Sequence, residues 1–267
     1  MIIRPVRPTS NSAVAVQVRV IIALMLRDVR TRFFGHGAGY LVAVFWPLAH
    51  IAILLVIFSG TGRVAPVGSS MTLYFAIGLA PTMAFIYASR WIMLSTVMNR
   101  SLLSFPVVKL SDILIARCLL EILSSCLMCA ILFVVLFALG LDVTPASSSE
   151  VSKAIGAALL LGAGVGFLNG LITVVFPLWV TGYSLVIILI YMLSGVLFVP
   201  DSLPEVAREI VAWNPVLHAV EWMRVAYYGA YTSRTLDKTY LLGFGFGSIF
   251  LSLVALRFGQ RILATSR

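Results

Sequence analysis

Apolar runs of membrane-crossing length recur along this chain, and they constrain its fold more than any motif does. A helix needs about 20 consecutive, mostly apolar residues to cross the hydrocarbon core of a bilayer, and several such stretches stand between short polar connections. Hydrophobic residues make up 61% of the chain and charged residues 11%, with a mean hydropathy of +1.05. A soluble domain holds about 45–50% apolar and about 25% charged residues. The pattern excludes a disordered chain, a soluble single-core enzyme, a coiled coil and a small disulfide scaffold. The runs lack the alternation, in segments of about ten residues, that marks a transmembrane barrel. The fold class is therefore an all-α membrane protein, a single transmembrane domain over residues 1–267.

Six spans are expected: Tyr40–Phe58, Met71–Ser95, Ile122–Leu141, Ala154–Pro177, Tyr183–Val199 and Tyr240–Leu256. If both termini face the cytoplasm, 13 of the 19 Lys and Arg fall on the inner side, Arg90 counted among them, and 7 of the 10 acids fall outside. The positive-inside rule favours that orientation. It also accounts for the net charge of +9, which gives no reason to invoke nucleic acid. The first 15 residues carry Arg4, Arg7 and two prolines but no continuous apolar core, so no cleavable signal is expected and the first span serves as the insertion signal. Cys118, Cys126 and Cys129 sit in or beside one apolar run and read as small buried hydrophobes.

The polar segments carry the remaining information. From Ser12 to Phe34 apolar residues alternate with Arg19, Arg27, Asp28, Arg30 and Arg32, which suits an amphipathic interface helix. Gly35, Gly37 and Gly39 then break it, and Trp46-Pro47 sits within the first span, where proline removes a backbone hydrogen bond and favours a kink. The connection Val97–Glu121 holds Asn99, Arg100, Pro106, Lys109, Asp112, Arg117 and Glu121. Pro106 suits the start of a short helix or turn, and Arg117 and Glu121, four apart, suit an ion pair near the membrane surface. The longest outer connection, Pro200–Thr239, contains two helix-start signals. In the first, Ser202 reads as the cap with Pro204 and Glu205 behind it, giving a helix to about Trp213. In the second, Asn214 caps a helix with Pro215 at its first position, ending near Gly229. Neither is long enough to span, so the pair suggests a re-entrant hairpin between spans five and six whose turn lies against protein or water. His218, Glu221 and Arg224, three apart, suit a structural polar network, with Glu221 pairing Arg224 or accepting from His218.

Much chemistry is missing. No G-x-x-x-x-G-K-[ST] occurs, and none of Lys109, Lys153 and Lys238 follows a glycine, so the chain has no P-loop. There is no G-x-S-x-G, no H-E-x-x-H and no carboxylate pair within a span. His36, His50 and His218 show no metal-ligand spacing. A proton- or sodium-coupled carrier uses buried acids as its relay, and none is evident. Trp46, Tyr87, Arg90, Trp91 and Tyr191 are candidates for a pore-facing, sugar-stacking set, against the simpler reading of interfacial aromatics.

Three segments together resemble the permease subunit of ABC exporters, in particular those of bacterial capsular polysaccharide export. They are Arg27-Asp28-Val29-Arg30-Thr31-Arg32-Phe33 through Trp46-Pro47-Leu48-Ala49-His50; Asn99 with Pro106-Val107-Val108-Lys109, Asp112 and Ala116 to Glu121; and Trp213-Asn214-Pro215-Val216-Leu217-His218 with Glu221, Arg224 and Gly229. The last run is the most specific, and the three in order cover nearly the whole chain. The resemblance implies that two copies of this chain form the channel and that two copies of a cytoplasmic ABC ATPase dock beneath, holding the ATP and Mg. It implies ATPase coupling at Asn99, Arg100, Pro106, Lys109, Asp112, Arg117 and Glu121, an interface helix with Arg27, Asp28, Arg30 and Arg32, and a periplasmic gate with Trp213, Asn214, Pro215, His218, Glu221 and Arg224. The implied substrate is a lipid-linked polysaccharide, moved from cytoplasm to periplasm across the bacterial inner membrane. Periplasmic and outer-membrane export proteins are further implied partners. Related permeases take O-antigen, lipids or drugs, and an ATP-independent carrier or channel is the rival class. One departure stands out: the family often has Glu directly before the proline of the first span, where this chain has Trp46.

Overall fold

The computed structural model describes residues 12–31, 39–60 and 64–265. Nine α-helices account for most of them: α1 Ser12–Thr31, α2 Gly39–Ser59, α3 Met71–Met98, α4 Leu110–Ala138, α5 Ser148–Val175, α6 Trp179–Met192, α7 Glu205–Ala212, α8 Pro215–Tyr227 and α9 Lys238–Thr265. Short 3-10 turns occupy Arg100–Ser104 and Pro200–Ser202. No strand occurs among the described residues. Of the N-terminal segment, Arg32, Gly35, His36 and Gly37 lie outside the described residues.

Four helices, Met71–Met98, Leu110–Ala138, Ser148–Val175 and Lys238–Phe258, are long and apolar enough to cross a bilayer. Two shorter apolar helices, Val44–Phe58 and Trp179–Met192, lie where the first and fifth spans were expected, the second ending well before Val199. Local chemistry explains where the boundaries move. Ser70 caps α3, its hydroxyl accepting from the Leu73 N–H, and Ser147 caps α5 in the same way toward Glu150. α4 starts twelve residues before the expected third span because the Asp112 carboxylate accepts the Lys109 N–H at 2.8 Å, an acid in the first turn that also suits the helix dipole. The connection expected over Val97–Glu121 therefore shrinks to Asn99–Lys109, and Pro106 lies in a turn without starting a helix. α6 begins four residues early and stops at Met192, where Gly195 adopts φ +77, a left-handed value that glycine accepts without strain. Residues 193–199 then run outside any helix.

The bundle is organised on α3, the most enclosed of the four long apolar helices, which packs along its length against α5. Gly162, Gly166 and Gly170 of α5 fall four apart on one face, where a Cβ at Gly166 would meet Ile92 Cβ at 2.9 Å and one at Gly162 would meet Ala88 Cβ at 3.1 Å. Gly164, on another face, admits the backbone of α9, with Gly245 O 2.8 Å from where its Cβ would sit. Small residues let helix backbones approach when lipid supplies no hydrophobic drive for association. α2 runs antiparallel to α3: Phe58 stacks on Phe75 at 4.2 Å, and His50 meets Tyr87 further along. The α3–α4 connection, the start of α6 and the end of α1 thus share one end of the bundle, the elbow end, while α7, α8 and the start of α9 share the other.

α8 is part of the core. Val216, Leu217, Ala219, Val220, Trp222 and Met223 are buried, and the helix packs on α3 and α5. α7 is peripheral, with Val206, Ile210 and Trp213 exposed on one stripe. Two short helices thus appear where two were expected, with altered ends. Ser202 is not the first cap: its hydroxyl bonds the Val199 carbonyl inside the 3-10 turn, and Pro204 precedes the first residue of α7. The second helix stops at Tyr227, short of Gly229. Of the three cysteines only Cys129 is buried, and Cys126 faces outward.

Candidate functional site

Two polar clusters and one polar strip interrupt an otherwise apolar bundle. At the elbow end, Asn99 closes α3, its N–H bonded to the Ser95 carbonyl at 3.0 Å. Its buried side chain accepts from Arg27 Nη1 of α1. One turn along, Arg117 of α4 lies between two acids, 2.6 Å from Glu121 and 3.6 Å from Asp28 of α1. Its guanidinium also covers the Trp91 ring at 5.0 Å. Arg117 and Glu121 thus pair as their spacing suggested, but deep inside, where breaking one partner of an ion pair costs far more than at a surface. Arg100, Pro106 and Lys109 are exposed around the turn, while Asp112 is buried in the first turn of α4. The expected docking residues therefore divide. Arg100, Pro106 and Lys109 offer a surface. Asn99, Arg117 and Glu121 hold α1 onto the elbow through Arg27 and Asp28, and Arg30 stays exposed on α1.

At the opposite end, α8 carries a second cluster. Asn214 caps it, accepting the Val216 N–H, and its amide donates to the Ile190 carbonyl at 2.8 Å. Pro215 follows at the first helical position. Arg224 is 0% exposed and sits 2.8 Å from Glu221. It also donates to the carbonyls of Gly195, Val196 and Phe198 at 2.7, 3.3 and 3.2 Å, and its guanidinium lies 4.4 Å from the Tyr74 ring centroid. Those three carbonyls belong to the non-helical stretch after α6, where backbone has no helical partner and apolar surroundings offer none. A single fork-shaped side chain satisfies them. Tyr231 donates to the other Glu221 oxygen at 2.7 Å. Burial, and next the Glu221 carboxylate, push the Tyr231 phenol well above its ordinary range.

His218 joins a different contact from the one expected. Its Nδ1 accepts the Asp237 N–H at 3.0 Å and its Nε2 donates to the Ala212 carbonyl at 2.8 Å, so it ties the α7–α8 turn to the start of α9 without touching Glu221. Trp213 stays exposed, its carbonyl accepting from the Tyr240 hydroxyl. One further link was not visible in the sequence. Glu150, in the first turn of α5, accepts from Trp222 Nε1 at 2.8 Å, Lys238 at 2.7 Å and Lys153 at 2.6 Å, joining α5, α8 and α9. Lys153 lies one turn along the same helix, but Trp222 and Lys238 lie 72 and 88 residues away, beyond any local pattern.

The five candidates for a substrate path do not share one face. Trp46 and Arg90 are exposed and Tyr87 is half-buried against His50. Trp91 instead lies beneath Arg117, and Tyr191 packs against the main apolar core. Among the described residues no three His, Cys, Asp or Glu gather as a metal site.

One polar cluster thus sits at the exposed elbow and the other at the far end of the bundle, with α3 and α4 running between them. Over 257 residues the chain is 28% identical to the polysialic acid transport protein KpsM of Escherichia coli, covering 96% of this chain and all of that one. It is 26% identical to the capsule polysaccharide export inner-membrane protein CtrC of Neisseria meningitidis, over 82% of each chain. The corresponding BexB protein of Haemophilus influenzae is 24% identical over 83% of each. The family described as ABC-2 type transporter matches residues 19–228, and the chain belongs to that family.

Proposed function

We propose that this chain is the membrane-spanning permease subunit of an ATP-driven exporter that moves a lipid-linked capsular or related surface polysaccharide from cytoplasm to periplasm. The observation that carries this is the likeness, over 82% to 96% of this chain, to three proteins named for polysialic acid or capsule polysaccharide transport or export. In this reading the chain crosses the inner membrane six times, with α2 and α6 as the two short crossings and both termini cytoplasmic. Two copies enclose the route. ATP and Mg are held by two copies of a separate ABC ATPase, since this chain carries no P-loop.

The exposed Arg100, Pro106 and Lys109 are the ATPase docking surface, and α1 rides with the elbow through Arg27–Asn99 and Asp28–Arg117. Closure of the ATPases on ATP displaces the elbow and biases the two conformations of the permease by the difference in their contacts. The α7–α8 hairpin, gripped by Arg224, serves as the periplasmic gate, and export proteins of the periplasm and outer membrane receive the chain beyond it. Affinity purification of the tagged protein from its native membrane tests this. A stoichiometric ABC ATPase is expected, with its coupling lost when Arg100 and Lys109 become Ala. A clean permease with no ATPase, transporting without ATP, would overturn the reading in favour of a carrier or channel.

A further inference from the structure

Trp46, His50, Tyr87 and Arg90 lie outside the two polar clusters; Tyr87 packs against the main apolar core, and the other three are exposed. The Tyr87 hydroxyl lies 3.5 Å from His50 Nδ1. On antiparallel helices, four residues back from His50 on α2 and three residues on from Tyr87 on α3 both lead toward the elbow end. Helical spacing therefore places Trp46 and Arg90 at a similar level, on the face of the α2–α3 pair that carries His50 and Tyr87. Trp46, at 66%, and Arg90 are exposed. Arg90 lies within the Met71–Met98 helix, where a cation facing lipid is unfavourable unless it finds a counter-charge or water.

Among the described residues no carboxylate pairs with Arg90, and all ten acids of the chain are described. At the elbow end, Asp28 and Glu121 are committed to Arg117, and Asp112 to the Lys109 N–H. The other seven acids follow α4 in the sequence or lie at the far end. What remains is an exposed guanidinium one turn from the Tyr87 phenol, with His50 beside that phenol and Trp46 one turn from His50. A guanidinium matches a carboxylate or phosphate in fork geometry, and the aromatic faces take the apolar face of a sugar ring.

We propose that this strip is a binding subsite for an acidic, lipid-linked saccharide, with Arg90 on the anionic group and Trp46 stacked on the adjoining sugar ring. The proposal rests on the exporter reading and gives its substrate a point of first engagement, one that uses Trp46 at the position where the acid of the resembled family is missing.

The test uses the full chain in phosphatidylcholine nanodiscs and three probes: dodecyl glucuronide, which is a sugar with an anion; dodecyl glucoside, the neutral sugar; and phosphatidylglycerol, an anionic headgroup without a sugar ring. The glucuronide is expected to bind more tightly than the glucoside. Arg90→Gln is expected to weaken the glucuronide by about tenfold to a hundredfold, the range for losing a charged hydrogen-bonding partner, and to leave the glucoside unchanged. Arg90→Lys keeps part of the preference and controls for folding. Trp46→Ala weakens both glycosides but not phosphatidylglycerol. An Arg90→Gln variant that binds the glucuronide as before overturns the proposal. So does phosphatidylglycerol displacing the glucuronide equally in the presence and absence of Trp46, which would make Arg90 a residue for ordinary head groups. ATPase co-purification with the same Arg90→Gln preparation separates the two readings: ATPase retained with binding unchanged sinks only the subsite, and ATPase absent from the wild type sinks the exporter.

Discussion

Removing the Arg224 side chain should be among the most damaging single changes in this protein. Arg224→Ala leaves the Glu221 carboxylate buried beside an empty volume, and stranding one member of a buried ion pair costs about 3–5 kcal/mol. The carbonyls of Gly195, Val196 and Phe198 lose their donor as well, each at about 1–3 kcal/mol if nothing replaces it. The sum reaches the whole stability of an ordinary domain, about 5–15 kcal/mol. Arg224→Lys keeps the charge but not the fork. A lysine reaches the carboxylate or the carbonyls, not all four, so it should fall between wild type and Arg224→Ala. Adding Glu221→Leu to Arg224→Leu should recover part of the loss, because it removes the uncompensated charge while the carbonyls stay bare. The assay is thermal denaturation in detergent, read by fluorescence-detected gel filtration, where 1 kcal/mol moves the midpoint by about 2–4 °C for a chain of this size. The expected order is wild type, Arg224→Lys, the double Leu variant, then Arg224→Ala. An Arg224→Ala protein melting within a degree or two of wild type would refute the view that this side chain holds the hairpin to the end of α6.

Three further outcomes follow from the same geometry. Gly166→Ala forces a Cβ to 2.9 Å from Ile92 Cβ and should cost about 1–3 kcal/mol, whereas Gly243→Ala, with nothing within 4 Å, should be neutral or slightly stabilising in the same melting assay. Asp28→Asn keeps the shape of the α1–α4 contact but removes one of the two charges on Arg117; ATPase should still co-purify, with a lower ratio of export to ATP hydrolysed, and an unchanged ratio would argue that α1 does not travel with the elbow. Tyr231 binds its proton more tightly folded than unfolded, so its contribution is complete below about pH 10, the ordinary phenol value, and is lost as pH rises beyond it. Tyr231→Phe should therefore flatten the alkaline fall in stability by up to about 1.4 kcal/mol per pH unit, and identical alkaline slopes for the two proteins would count against the Tyr231–Glu221 contact.

Much was legible in the sequence because bilayer crossing is a local property. Length and hydropathy alone marked the helices, since a crossing segment must satisfy its own backbone hydrogen bonds. The Asn214-Pro215 start of α8 was legible for the same reason: a cap bonds within two residues. Charge spacing likewise pointed to the Arg117–Glu121 and Glu221–Arg224 pairs, each within one helical turn. The sequence could not say how deep those pairs lie, nor that Asp28, Tyr74, Tyr231 and three carbonyls complete them, because burial and the remaining partners come from other helices. It missed the start of α4 at Leu110, since Asp112, Arg117 and Glu121 look like loop residues until neighbours are present to cover them. It read Trp91 and Tyr191 as companions of Trp46 by residue type, and only the rotation of each helix in the bundle separated them. His50 showed no partner by spacing, and only the crossing of α2 and α3 set it beside Tyr87. Periodicity and capping act over a few residues and are written in the chain. The choice of which faces meet depends on close approach at Gly162, Gly164 and Gly166, and only the tertiary structure decides which distant side chains that approach brings together.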